Sequence, residues 1–359
     1  MGGTMGSQGT TSEMRARPPA GPDVLGARAL RDWITGERGE RSRVIFVEPD
    51  ADAGAVGEVT GPGDLLLLEE GSPHEGPAPA IHYSGAFSEV GDELFLGERS
   101  VELQDYVAAA FIQLVGPTAV RFFDEVSWQA FLDDADLART TGVFPAPLID
   151  PRVLLADRHA VAAPAEIDTP SALRIRPDGR IGVGVQGAPI GSLDGLPALL
   201  VNPLPRAAAL GDIAPGRDIT ADLLDRRWIA RYLDAADLMK MLHLANGDAK
   251  ISGFGWCLLD DHLSDAEPPT TDPFLLETAE GFVLADIRSL RRQLLSPLTA
   301  RVVAATQTSS TLSLAAERVA RESATPVRHA RELCREAVEA LGVHFGEPVD
   351  GLRAEEVSR

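Results

Sequence analysis

The residues that could do chemistry in this 359-residue chain are glycines, carboxylates and histidines at motif-like spacings. Gly182-Val-Gly-Val-Gln-Gly187 has the spacing of a dinucleotide fingerprint, in which backbone amides and a helix N-terminus meet a pyrophosphate. That chemistry needs a helix opening at the third glycine. Here an Asp178-Gly179 turn precedes the motif and Ala188-Pro189 follows it, so a glycine-rich strand is expected, with no dinucleotide. Asp260-Asp261-His262 offers ligand types for a divalent metal, but consecutive residues rarely converge on one ion. The histidines (74, 82, 159, 243, 262, 329 and 344) form neither His-x-His nor His-x-x-x-His, and no Cys-x-x-Cys occurs, so no zinc site is expected. Asp133, Asp134 and Asp136 share one predicted helix, as a solvated face would. Gly253-Phe-Gly-Trp256 reads either as a binding surface or as a strand whose Phe254 and Trp256 fill the core, and the second reading is favoured. There is no G-x-S-x-G elbow and no P-loop. No catalytic residue, cofactor or metal is therefore expected, although dispersed residues can still assemble a triad.

Charge is the second source of chemistry. The net charge of −21 argues against general affinity for nucleic acid or an anionic membrane. Between Ile287 and Arg335, however, nine arginines stand against three glutamates. Such a basic window points either to an acidic partner or to a solvated helical surface. No apolar run approaches the roughly 18 residues of a membrane span. Cys257 and Cys334 each lie inside an apolar pattern, which predicts buried free thiols and a cytoplasmic location.

The expected fold class is α+β or α/β: a mixed α/β N-terminal body with a C-terminal module of three strands and three helices. Residues 1–22 read as a disordered tail. An α/β domain follows over 23–150, with a helix from Leu25 to Trp33 and strands at Val44–Val47, Asp64–Leu68, Phe111–Val115 and Ala119–Phe123. Trp128–Leu137 makes a helix. A middle region over 151–263, which the same domain could continue, carries an Asp178-Gly179 hairpin and helices near 220–233 and 235–244. Residues 264–272 are acidic and proline-bearing, a structureless linker by composition.

In the module over 273–347, apolar runs at Phe274–Thr278 and Phe282–Asp286 precede a third strand, Arg291–Leu295. Helices then start at Ser296-Pro297, near Thr311 and at Thr325-Pro326, each opened by a hydroxyl residue. The last one stops at Gly342. A shared core centred on Leu284, Val302, Val319 and Val338 predicts that the module folds on its own. Residues 348–359 read as a tail. This is the layout of a winged helix-turn-helix.

Phe282-Val-Leu-Ala-Asp-Ile-Arg-Ser-Leu-Arg-Arg-Gln-Leu-Leu-Ser-Pro-Leu-Thr-Ala and Thr311-Leu-Ser-Leu-Ala-Ala-Glu-Arg-Val-Ala-Arg-Glu322 resemble the RiPP recognition element, a PqqD-like domain that binds leader peptides. The resemblance covers about the last quarter of the chain, and its most telling step is Leu295-Ser-Pro-Leu-Thr-Ala300. It departs from the family at Gln307-Thr-Ser-Ser310, where an Asp-Gly-like turn is usual. An N-terminal body fused to such an element is similar to a daptide-type recognition protein, a likeness carried by the C-terminal part alone. The resemblance implies a partner leader peptide, pairing with Arg291, Arg292, Gln293, Leu294 and Leu295, and recruitment of RiPP-modifying enzymes. It also implies a groove bordered by the third helix, where Arg328, Arg331 and Arg335 would hold acidic residues and Cys334 and Val338 would line an apolar pocket. A DNA-binding regulator and a peptide-modifying enzyme remain the alternatives.

Overall fold

The computed structural model describes residues 22–349; of the expected tails over 1–22 and 348–359, all but Pro22, Pro348 and Val349 lie outside them. In chain order the strands are β1 (Arg43–Val47), β2 (Asp64–Glu69), β3 (Ala80–Gly85), β4 (Glu93–Leu96), β5 (Arg99–Asp105), β6 (Thr118–Arg121), β7 (Val153–Leu155), β8 (Ile167–Asp168), β9 (Ala172–Ile175) and β10 (Arg180–Val183). They continue as β11 (Pro189–Ser192), β12 (Leu204–Pro205), β13 (Ala249–Ser252), β14 (Gly255–Trp256), β15 (Ala266–Glu267), β16 (Phe274–Thr278), β17 (Gly281–Asp286), β18 (Arg291–Leu295) and β19 (Glu347–Pro348). The helices are α1 (Pro22–Thr35), α2 (Ala53–Val59), α3 (Glu125–Thr141), α4 (Ala146–Ile149), α5 (Arg158–Ala162), α6 (Leu196–Leu199), α7 (Ile219–Leu224), α8 (Ile229–Leu242), α9 (Pro297–Gln307), α10 (Leu312–Ser323) and α11 (Val327–Leu341).

The body is built on one ten-stranded sheet, ordered β11-β10-β9-β1-β2-β3-β4-β5-β6-β7. β9, β1, β2 and β3 run parallel, as do β5, β6 and β7. β7 and β9–β11, from residues 151–263, complete the sheet that residues 23–150 begin. Both faces of the central strands are buried, which explains their unbroken apolar runs. Val44, Phe46, Leu65 and Leu67 pack on α1, whereas Ile45, Leu66 and Leu68 join a core with α3 and α8. Trp33 stacks on Phe46, with ring centroids 4.6 Å apart, and its indole N–H donates to the Leu173 carbonyl at 2.9 Å.

Two expectations in the body fail. Phe111–Val115 is not a strand: it follows a short 3-10 turn, and Phe111 is 84% exposed. The sequence reading passes over β3, β4 and β5, which carry the sheet between β2 and β6. The helix break also lies at 225–228 and not at 234, because Ile229, Tyr232, Leu233, Ala236 and Met239 form one buried stripe. Gly253-Phe-Gly-Trp256 turns β13 into β14, with Phe254 buried in the core but Trp256, expected there too, only half-buried.

The second sheet, ordered β14-β13-β16-β17-β18, recruits two strands from before residue 264. Its three C-terminal strands and three helices occupy the expected positions. One face, through Leu275 and Leu284, packs on α9–α11. The other, through Phe274, Leu276 and Ala285, is buried in the core of the body. The expected self-contained module therefore shares its sheet with the rest of the chain. Val338 is only half-buried, since Ala330, Cys334 and Ala337 take the inward face of α11. Ser296 and Thr311 cap their helices as expected, but Thr325 does not cap α11.

The stretch over 264–272 is an ordered clamp and not a loose linker. β15 pairs with β19, which places Pro348 in a strand and not in a tail. The Asp265 carboxylate accepts from the Ser310 amide, while that of Asp272 accepts from the Gln307 side-chain amide and the His344 backbone. Arg231 of α8 donates to the Pro269 and Asp272 carbonyls at 3.0 and 2.9 Å and lies over the Phe274 ring. Composition alone hides this, because every tie comes from a residue distant in sequence.

Candidate functional site

β18 is an edge strand of the second sheet and, among the described residues, pairs only with β17. The two strands form a hairpin in the register Asp286↔Arg291, Ala285↔Arg292, Leu284↔Gln293, Val283↔Leu294 and Phe282↔Leu295. Asp286 shapes the connecting turn by accepting from the Arg288 amide and the Ser289 hydroxyl. Burial alone would raise the Asp286 carboxyl, but these hydrogen bonds outweigh it and hold the group below the ordinary carboxylate range. Leu290 completes the turn at φ +54°, an uncommon conformation for a branched side chain.

Arg291, Arg292, Gln293 and Leu294 are exposed and Leu295 is half-buried, so the whole of this predicted site faces solvent along one edge. Leu294 is 66% exposed. Because strand side chains alternate, Arg291, Gln293 and Leu295 lie on the helix side of the sheet, opposite Asp286, Leu284 and Phe282. Arg292 and Leu294 lie on the side that faces the body. On the helix side a depression of about 290 Å³ has Leu284, Leu341 and Pro273 as its floor and Asp286, Arg291 and Gln293 at its rim. The sequence puts Leu341 on the apolar side of the third helix, but Leu341, Pro273 and Asp286 lie outside the residues that the resemblance implies for the site.

The helical part of the predicted site is less coherent. Cys334 is fully buried, so it is core and not a groove residue. Burial pushes its thiol up against an opposing hydrogen bond with Thr306. Val338 sits half-buried on the same flank of α11 as Arg328, Arg331 and Arg335. Arg328 extends into solvent beside Glu332, at 3.8 Å, while Arg331 reaches the Ser313 hydroxyl of α10 at 3.4 Å. Arg331 thus reaches α10, while the partner of Arg328 lies on α11 itself. Arg318 leaves the basic face altogether: its guanidinium is buried and holds both oxygens of Asp261, at 2.8 and 3.0 Å. That pair also accounts for Asp261 in the Asp-Asp-His run.

The other motifs resolve into packing. The Gly182–Gly187 stretch is strand β10 followed by a turn, and it wraps the buried carboxylate of Asp157. Asp157 accepts from the amides of Val185 and Gln186, yet burial pushes its carboxyl up to about 7. Asp134 accepts from the Tyr106 hydroxyl and Asp136 pairs with Arg226, so the acidic face of α3 is partly engaged. Cys257 is exposed, contrary to its apolar surroundings in sequence. Among the described residues no group of His, Cys, Asp and Glu side chains could hold a metal ion, and no helix is long and apolar enough to cross a membrane.

Against this geometry, no family model, curated protein or solved structure matches the chain.

Proposed function

We propose that this chain binds an extended peptide as an additional strand along β18, and that the peptide is the leader of a ribosomal precursor being brought to its modifying enzymes. In this reading β16–β18 and α9–α11 act as a PqqD-like winged helix-turn-helix. The observation that carries it is the free edge itself. An unpaired strand presents a row of N–H and C=O groups, which is a template for another extended chain. Arg291 and Arg292 would repel the same edge of a second copy, so they discourage self-pairing while favouring carboxylates. Leu294 and the depression beside Leu341 offer contacts for alternate side chains. Main-chain bonds thus supply affinity, and the arginines and apolar contacts supply selection.

Display selection of peptides of about twenty residues on the full-length chain tests the reading. Enriched sequences should carry acidic and apolar residues in alternation, as an edge with two different faces demands. Arg291→Glu combined with Arg292→Glu, at exposed positions where folding should survive, should weaken the selected peptide by about tenfold or more. Failure to enrich, or undiminished binding by that variant, would overturn the proposal. Salt-sensitive binding of random duplex DNA by the same chain would favour a nucleic-acid regulator instead.

A further inference from the structure

Leu290, at the tip of the hairpin that leads into β18, is held in a conformation and an environment that both cost stability. Of the six non-glycine residues with positive φ among those described, it alone carries a branched apolar side chain. Glycine or asparagine would suit that backbone better, and either would remove a leucine that is 71% exposed. The turn itself is fixed by other means, since the Asp286 carboxylate accepts from the Arg288 amide and the Ser289 hydroxyl. Neither the turn nor the core therefore accounts for a leucine at this position.

Leu290 has two neighbours of matching disposition. It borders the space between the hairpin tip and α8, on the side of the sheet that faces the body. Arg292 and Leu294 lie on that same side, and both are exposed. Opposite them on β17 stand Ala285 and Val283, which offer no polar partner. Arg292 makes no ion pair among the described residues. Its long side chain also borders the helix-side depression, as an arginine at a strand edge can. Guarding an edge against stray strands calls for charge or proline, and leucines flanking the arginine are the reverse of that.

We propose that Leu290, Arg292 and Leu294 read one face of the bound peptide: an acidic residue between two apolar ones, at positions i, i+2 and i+4. The inference rests on the strand-addition reading and adds Leu290 to the residues that select the peptide. A strand laid along β18 puts every second side chain on the body side, and residues directly opposite bring their Cβ atoms to about 5 Å. The middle residue meets Arg292, where a carboxylate accepts a charge-assisted hydrogen bond. The outer two cover Leu290 and Leu294 and take both from water. The pattern reads the same from either end, so it holds for a peptide running in either direction.

The test uses the full-length chain and the best-enriched peptide of the display selection, labelled with fluorescein, with affinity read by fluorescence polarisation. Leu290→Asn keeps the left-handed turn and removes the apolar side chain. The variant should be at least as stable as wild type, yet bind about tenfold more weakly. Serine in place of either apolar peptide residue should weaken binding to wild type about tenfold. On the Leu290→Asn chain one of those two replacements should have no further effect, and the other should keep its full effect. Unchanged affinity in the variant, a lowered denaturation midpoint, or equal losses from both peptide replacements in both chains would overturn the part given to Leu290 while leaving strand addition standing. The enriched sequences decide the matter without any variant: if they lack the apolar, acidic, apolar spacing, the proposal is wrong. Binding indifferent to Arg291→Glu with Arg292→Glu would overturn both readings.

Discussion

Gly184 has no room for a β-carbon. At φ +64° an added Cβ would overlap the Asp157 carboxylate, which is itself immobilised by amide donors. Gly184→Ala should therefore cost about 2–4 kcal/mol, combining left-handed strain with displacement of a buried charge, and would register as a lower denaturation midpoint. Asp157 also makes stability depend on pH in a stated direction. Its native carboxyl is raised from 3.8 to about 7 by burial, so between those values the folded chain holds a proton that the unfolded chain releases. Its contribution therefore weakens as pH rises from about 4 to about 7. Urea titrations should show wild type losing stability relative to Asp157→Asn across that window. A constant difference would mean that the carboxyl is ionised throughout.

At the scale of elements, α10 is fastened to the segment after β14 by Arg318 and Asp261, whose side chains are 1% and 7% exposed. Arg318→Met leaves Asp261 without its counter-charge and should destabilise the chain by about 3–5 kcal/mol, whereas replacing both partners with apolar residues should recover much of the loss. A double-mutant cycle by chemical denaturation measures the coupling. The start of α9 is a simpler case. The Ser296 hydroxyl accepts from the Thr299 amide at 3.1 Å, and Ser296→Ala should cost about 1 kcal/mol.

For the whole molecule, the sheet that ends in β18 belongs to two cores at once. Cutting the chain before Pro273 would strip β13 and β14 from that sheet and expose Phe274, Leu276 and Ala285, which the body buries. A fragment over 273–349 should bind a hydrophobic dye and give poorly dispersed amide resonances. A sharp, dispersed spectrum would show that the helix side of the sheet is enough.

How much of this was legible depended on whether its cause was local. The starts of α9 and α10, the stop at Gly342 and the Asp178-Gly179 turn follow from hydroxyl caps and left-handed glycines, whose physics acts within a few residues. β18 was legible as a short run after the Asp286–Leu290 turn, and its proposed role came from the resemblance. Its standing as a free edge required knowing that, among the described residues, no other strand lies beside it. Elsewhere the deciding partner is remote in sequence. β9 pairs with β1, Asp272 meets His344 and Arg318 meets Asp261 only once the chain has folded back on itself. The same holds for Cys334, whose periodicity fits core and groove alike until α9 covers it. Local propensity therefore wrote the order of the elements, and long-range burial and pairing decided which edges, faces and charges were left for a partner.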